Sequence, residues 1–560
     1  MDIASEEFII GKGTWIDKVA FTIIEREKKL GRTSNILKVE SGLGASGIPH
    51  IGSMGDAVRA YGISLALQNM GYKSELIAFS DDLDGLRKVP YGLPEWLNKY
   101  LCIPVSAIPD PFGNCHDSYG AHMSGLLLEG LDKVGVKYEF KSGSEVYKSG
   151  ALSNQIHRIL TNSKIIGDKI ADLTGQQKYL ELLPFFPICQ QCGRLYVANA
   201  TDYFPDKRTI SYSCLGNTIN KKKINGCGYK GEVKIERGEG KLAWKVEFAA
   251  RWSAFDIRFE AFGKDIMDSV RINDWIANEI LGFHHPLHIK YEMFLDKGGK
   301  KISKSAGNVL TPQMWLRYGT PQSILLLLYK RIAGTRHISI DDIPNLMDEY
   351  DFYEDIYFEK IKEKNKNKTV KIKGIYEYVN NLNPPSKTQA HIPYRVLIQQ
   401  SELFINKEAD SIRKICDRLK KYGLIKDENS GIIDKIRLAM KWTEDFEDDD
   451  VTNFENNQNS IKMEIENKHK KAICDVLLQL NKIANETEKS TTNQDTDADA
   501  LSQKIQTVIF TNAKENNIEP KDFFRLFYKI LINAERGPRL GNYIVDLGIR
   551  NVINKIEKKI

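Results

Sequence analysis

The apolar positions change period several times along this chain. Ile36–Ser41 (ILKVES) is a short apolar run of strand type, followed by the glycine-rich stretch GLGASG. From Ser53 to Met70 the apolar residues Val58, Tyr61, Ile63, Leu65, Leu67 and Met70 sit in a helical pattern that stops at Gly71. Glu75–Phe79 reads as a second strand, running into Ser80, Asp81 and Asp82. Strand, glycine turn, helix and strand make a βαβ unit, which implies a right-handed crossover and a parallel sheet covered by helices. Ligands of such sheets lie beyond the carboxyl ends of the strands. The loop carrying His50 and the acids Asp81, Asp82 and Asp84 would both lie there.

Residues from about 90 to 240 break this rhythm with Pro, Cys and His, and the apolar runs resume at Leu242. Beyond about 320 the pattern is mostly helical. The expected fold class is therefore α/β: a Rossmann-type parallel-sheet domain with an insertion, followed by an all-α C-terminal region. In segments this gives 1–90 and 241–320 as the two halves of the sheet domain, 91–240 as the insertion, and 321–400 and 401–560 as two helical regions. At 560 residues the chain is too long for one core and has room for roughly three or four domains. Lys362–Lys373, Glu444–Asn457 and Glu486–Ala500 are too polar to bury a core face and are expected to be exposed loops or linkers.

Composition narrows the class. With 42% hydrophobic and 28% charged residues and a mean hydropathy of −0.38, the chain is of soluble globular type. It has no apolar window long enough to span a bilayer, and no signal-peptide pattern opens MDIASEEFIIGKG. A cytoplasmic location follows as the expectation. The net charge of +6 permits a polyanionic partner without requiring one. Among the 8 cysteines, Cys189, Cys192, Cys214 and Cys227 cluster in sequence, and in a reducing compartment that points to metal rather than disulfides. Their thiolates suit tetrahedral Zn²⁺. Asp110, Cys115, His116 and His122 form a second candidate set, Asp-x4-Cys-His-x5-His. Both sets would be structural sites.

Two short elements carry chemistry. Lys300–Ser305 (KKISKS) lies between Asp296-Lys297-Gly298-Gly299 and Ala306-Gly307-Asn308, so its lysines sit on a glycine-flanked loop. Mobile ammonium groups, hydroxyls and backbone N–H groups suit a polyphosphate whose charge grows in a transition state. Upstream, Pro49-His50-Ile51-Gly52 follows the first strand. There the imidazole can donate to a phosphate oxygen, and Gly52, lacking a Cβ, would let an adenine approach the backbone.

Taken together, PHIGS at 49–53 and KISKS at 301–305 resemble the HIGH and KMSKS elements of class I aminoacyl-tRNA synthetases. Wider stretches are similar to the class I lysyl-tRNA synthetases of archaeal type: SDDLDGLRKVP (80–90), IPDPFGNCHDSYGAHM (108–123), PICQQCGRLY (187–196), FEAFGKDI (259–266), KYEMFLDKGGKKISKSAGN (290–308) and AERGPRLGNYI (534–544). The resemblance implies lysine–tRNA ligase activity: L-lysine is activated with ATP and Mg²⁺ to lysyl-adenylate, then transferred to tRNA(Lys). It implies His50, Lys301 and Lys304 as catalytic residues and Ser46, Gly47, Gly52, Asp265 and Ser303 as further ATP contacts. Gly42, Gly44, Trp244 and Tyr291 would line the amino-acid pocket, and two zinc ions would sit in the two metal sets. Ser53 replaces the second histidine of HIGH, Ile302 the methionine of KMSKS, and Ile266 and Gly44 stand where a histidine and a polar residue are expected.

A lysine pocket needs a carboxylate for the ε-ammonium, because an unpaired buried cation is costly. Glu40, Asp56, Asp81, Asp82, Asp84 and Glu247 are the candidates, and Trp252 is a further possible aromatic wall. The basic residues Lys414, Arg418, Lys420, Lys421, Arg536 and Arg539 fit a helical anticodon-binding domain. The competing readings are a glutamyl-type synthetase, whose pocket would need a free cation, and a non-catalytic zinc- and RNA-binding paralogue.

Overall fold

The structure is a computed structural model and describes residues 9–32, 35–292, 294–296, 298–299, 309–403, 408–446, 466–489, 494–532 and 537–560. The chain forms two compact units. The first comprises residues 1–315, 321–340 and 359–385, and the second 316–320, 341–358 and 386–560.

The first unit is built on a five-stranded, wholly parallel sheet. Its strands are β1 (Leu37–Leu43), β2 (Ser74–Ser80), β3 (Glu139–Ser142), β4 (Ile257–Gly263) and β5 (Leu287–Tyr291), in the order β5-β4-β1-β2-β3. Helix α1 (Trp15–Lys29) precedes β1, α2 (Ile51–Asn69) joins β1 to β2, α3 (Tyr119–Lys133) precedes β3 and α4 (Trp244–Phe255) precedes β4. α2 lies against β1, β2 and β4, with α1 and α3 beside it. Strands buried on both faces need unbroken apolar runs, and Val39, Leu43, Leu76, Ile77, Ala78, Phe79, Ile257 and Phe259 supply them. The strand order reverses direction between β1 and β4, and the crevice at such a switch point is where α/β sheets bind ligands.

The segment 91–240, read from sequence as an insertion, in fact returns to the sheet: α3 and β3 extend it at one edge. Its proline-rich run and its cysteines mask that contribution, because β3 has only 4 residues and no apolar run. The part set apart from the sheet is a small β structure. Phe185–Pro187 pairs antiparallel with Gly240–Leu242, and Ala198–Phe204, Thr209–Cys214 and Lys230–Lys234 form a three-stranded sheet.

The second unit is helical throughout among the described residues, as the apolar pattern implied. Two of the expected loops, the first of them in the first unit, are largely helical instead. Lys362–Lys373 enters the helix Lys366–Val379, capped by Asn365, which buries Ile372, Ile375, Tyr376, Tyr378 and Val379. Its lysines and asparagines are the solvent side of an amphipathic helix whose apolar face comes one turn later. Of Glu486–Ala500, residues 486–489 end the helix Asn467–Lys489 and 494–500 begin the helix Gln494–Glu515, and 490–493 lie outside the described residues. Most of Glu444–Asn457 lies outside the described residues. No described helix is long and apolar enough to cross a membrane.

Helix α2 aims His50 and is itself held by a close contact. A Cβ at Gly62 would come within 2.7 Å of the Tyr329 ring, whose hydroxyl donates to the Val58 carbonyl at 3.0 Å. Tyr329 is fully buried, so its ring has no room to retreat. Gly62→Ala is expected to lower unfolding free energy by about 1–3 kcal/mol, the usual cost of overpacking a core, measured by urea titration; an unchanged midpoint would contradict this packing.

Candidate active site and metal clusters

β1 ends at Leu43, and the turn that follows delivers His50 as the N-cap of α2. Its Nδ1 accepts the Ser53 backbone N–H at 3.2 Å, so in the neutral ring the proton sits on Nε2. Gly52 answers to this arrangement directly, since a Cβ there would lie 2.8 Å from Cε1 and Nδ1 of the same ring. The glycine makes room first for the histidine, whatever else approaches it.

His50 and Gly52 open onto a cleft of about 290 Å³ at the switch point. Gly42 and Gly44 line it from the end of β1, Ala261, Phe262, Gly263 and Asp265 from β4 and the turn after it, Tyr291 from β5, and Trp244 from α4. Ile266 borders the same space. Gly44, Asp81 and Trp244 also line an adjoining cavity of about 580 Å³, with Ser46, Arg87, Lys88 and Asn220. Ser46 is exposed, its carbonyl accepts the Tyr119 hydroxyl at 3.0 Å, and Gly47 beside it is buried. Lys301, Ser303 and Lys304 lie outside the described residues.

The walls of the cleft are acidic, and their charge is organised by a buried arginine. Arg251, on α4, is 1% exposed. Its Nε is 2.8 Å from Glu40, one terminal nitrogen 3.2 Å from Asp81 and the other 3.5 Å from Glu260. The guanidinium also stacks 4.4 Å above Phe79. Behind it, Lys241 pairs with Asp84 and, at 3.0 Å, with Glu247, which accepts the Tyr147 hydroxyl at 2.7 Å. Carboxylates outnumber cations here. Burial pushes Glu40 up to about 8 despite the opposing Arg251 charge, and pushes Asp81 up to about 7.

Among the acids singled out from sequence, Asp81 and Asp56 line the cleft. Asp82 is turned away, held by the Ser142 hydroxyl at 2.6 Å and the Ser144 N–H at 2.6 Å. Asp84 and Glu247 are engaged by Lys241. Asp56 sits 3.7 Å from Arg59, receives a hydrogen bond from Tyr291, and is pushed up to about 7, chiefly by burial. Arg59 in turn stacks 4.6 Å above the Tyr291 ring. Trp252 is no wall of the cleft: fully buried, it donates its indole N–H to Glu260. Sequence reasoning missed Glu260, Arg251 and Arg59. The one available signal was the alternation of charge with aromatic residues in WKVEFAARW and RFEAF.

Both metal sets assemble. Cys189 and Cys227 have their sulfurs 3.5 Å apart, Cys192 and Cys214 3.8 Å apart, and all four lie within 4.8 Å of one another. Zn–S bonds of about 2.3 Å in a tetrahedron require sulfurs close to these separations, so the cluster can hold zinc. Burial raises the Cys189 thiol, but the backbone N–H groups of Cys192 and Gln191 outweigh it and bring the thiol down to about 7, which favours thiolate. In the other set Cys115 Sγ lies 3.3 Å from Asp110, 3.2 Å from His116 and 3.3 Å from His122. Asp110 sits well below the carboxylate range: burial opposes ionisation but is outweighed by the Phe112 N–H, the Cys115 thiol, His122 and the His116 N–H.

A family model described as tRNA synthetases class I (K) matches residues 13–381. The chain belongs to the class I tRNA synthetases. A protein of Cenarchaeum symbiosum named Lysine-tRNA ligase is 48% identical over 98% of this chain and 99% of its own. One of the same name from Rickettsia bellii is 30% identical over 93% of each. Among solved structures, a glutamate-tRNA synthetase of Elizabethkingia anophelis aligns over 94% of this chain and 99% of its own at 12% identity and a TM-score of 0.33, too distant to bear on substrate. As in class I synthetases generally, ATP with Mg²⁺ is the energy source.

The Arg251 cluster makes a prediction that separates its charge from its bulk. Arg251→Met leaves Glu40, Asp81 and Glu260 facing one another, and breaking a buried pair in this way costs about 3–5 kcal/mol. A carboxyl whose folded pKa lies above its unfolded value costs progressively more stability as pH rises from the unfolded value toward the folded one. The deficit of the variant is therefore expected to be larger at pH 8 than at pH 6, measured by urea unfolding at both; a deficit independent of pH would contradict the charge assignment.

Proposed function

We propose that the chain is a lysine–tRNA ligase that activates L-lysine with ATP and transfers it to tRNA(Lys). The acid excess of the cleft carries this reading over a glutamyl enzyme. A substrate carboxylate would need a free cation, whereas Arg251 is already shared among Glu40, Asp81 and Glu260, and Arg59 is engaged by Asp56 and Tyr291. Lysine carries two ammonium groups, and Asp56, Asp81, Glu260 and Asp265 offer carboxylates to both. The aromatic faces of Trp244, Phe248 and Tyr291 suit its aliphatic stem. The full-length likeness to proteins named Lysine-tRNA ligase supports the same substrate.

In the activation step a carboxylate oxygen of lysine attacks the α-phosphorus of ATP. The new O–P bond forms as the bond to the bridging oxygen breaks, and pyrophosphate leaves with that electron pair. No side chain needs to act as nucleophile; catalysis is positioning and charge stabilisation. In this reading His50 would donate from Nε2 to a phosphate oxygen, Asp265 would take the ribose, and Lys301 and Lys304 would take up charge developing on the triphosphate. A hydroxyl of the terminal adenosine of tRNA(Lys) then attacks the lysyl carbonyl and AMP departs. Zn²⁺ in the Cys189/Cys192/Cys214/Cys227 and Asp110/Cys115/His116/His122 sets would brace the insertion. The second unit would bind the anticodon arm, although Lys414, Lys420 and Lys421 of the helix Glu408–Lys421 already pair with Asp410, Glu428 and Asp499.

ATP–pyrophosphate exchange tests the substrate. Exchange is expected with lysine and not with glutamate, and exchange with glutamate alone would overturn the proposal. In the same assay Gly52→Ala, by forcing the imidazole aside, is expected to raise the activation barrier by about 2–4 kcal/mol, the scale of losing one preorganised donor, while lysine binding measured calorimetrically stays intact. For metal, Cys189→Ser is expected to remove one zinc ion per chain in elemental analysis.

A further inference from the structure

A third group of metal-ligating side chains lies apart from both zinc sets and from the cleft lining. Asp274 sits at the end of the helix Met267–Trp275, His285 in the connection to β5, and His288 on β5 itself. His288 Nε2 is 2.8 Å from Asp274 Oδ1, and His285 Nδ1 is 3.5 Å from the same carboxylate. The ligand atoms of the three residues lie within 4.8 Å of one another. Metal–ligand bonds of about 2.0–2.2 Å at tetrahedral angles separate ligand atoms by roughly 3.3–3.6 Å, so little movement closes the set around one ion.

The hydrogen bonding around His288 states what belongs in the gap. Its Nδ1 is 3.0 Å from the Glu260 carbonyl, which can only accept, so that nitrogen carries the proton. Nε2 then faces Asp274 with its lone pair, and two acceptors 2.8 Å apart repel unless a second proton or a metal lies between them. A ring fixed by a backbone carbonyl on one nitrogen and directed at the site with the other is how metal-bound histidines are held. His285 is positioned too, its backbone N–H donating to Asn278 at 3.1 Å, and its ring lies parallel to that of His288, with centroids 5.6 Å apart and planes at 12°. Its Nδ1 lies 2.8 Å from the Pro286 carbonyl, which can only accept, so that nitrogen carries the proton and Nε2 is the atom the ring offers to a metal. Arg26 also acts on Asp274 and His285 and opposes a hard cation bound by charge alone. Two imidazoles and one carboxylate select a borderline transition metal over Mg²⁺ or Ca²⁺.

We infer that Asp274, His285 and His288 form a third metal site, for Zn²⁺ or a similar transition ion, completed by water. Through the His288–Glu260 hydrogen bond it ties β5 to β4 directly behind the acid wall of the cleft. The site stands independently of the proposed substrate.

The test uses the full chain, stripped of metal and reloaded with Zn²⁺ or Co²⁺ alone, in wild-type, His285→Gln and Asp274→Asn forms. Each variant is expected to bind one metal ion fewer than wild type, while the Co²⁺–thiolate charge-transfer band of the cysteine cluster keeps its intensity. Equal metal content in wild type and variants would overturn the inference. So would loss of the thiolate band together with the ion, because the triad would then be serving the fold rather than a metal.

Discussion

Everything around the cleft depends on how the Arg251 guanidinium is held. It sits in the crevice between β1 and β4 with Glu40 from one strand, Glu260 from the other and Asp81 just past the end of β2. One planar cation thereby ties the middles of β1 and β4 and the end of β2 to α4. Desolvating that many charges is costly, and the fold recovers the cost by stacking the guanidinium on Phe79 and by placing Lys241 behind it. What remains is an excess of carboxyl groups, of which Asp81 and Glu260 line the cleft.

That arrangement separates two jobs usually found in one residue type. Among the described residues, the cations lining the first cleft, Arg251 and Arg59, are committed to carboxylates and aromatic rings. Under the proposed substrate, selection would fall to the acids at the rim, an imbalance maintained across several elements in contrast to reading by one dedicated partner.

The βαβ opening, His50 in the turn before α2 and the two metal sets were legible because each is written in contiguous or closely spaced residues with restrictive chemistry. Arg251 and Glu260 were not, since a charged residue inside an apolar run looks the same whether it is solvated or buried in a network; only the register of β4 against β1 brings Glu260 beside Glu40. β3 was hidden for the opposite reason: an edge strand needs little apolar character. The polar runs near 366 and 494 misled because composition averages over the two faces of a helix. Gly52 shows a further limit. Its spacing from His50 suggested a ligand approaching the backbone, and the nearest claimant proved to be the imidazole two residues earlier in the chain.

Lys241 closes the insertion, lying on the strand Gly240–Leu242 that returns the chain to α4, and it is buried against acids of the catalytic sheet. The insertion is thus not a module joined by neutral linkers. A homologous segment exchanged into this chain without a lysine at that point would leave Asp84 and Glu247 with no counter-ion, and one carried elsewhere would bring a stranded cation. The two parts of the enzyme are bound to co-vary, and divergence in one constrains divergence in the other.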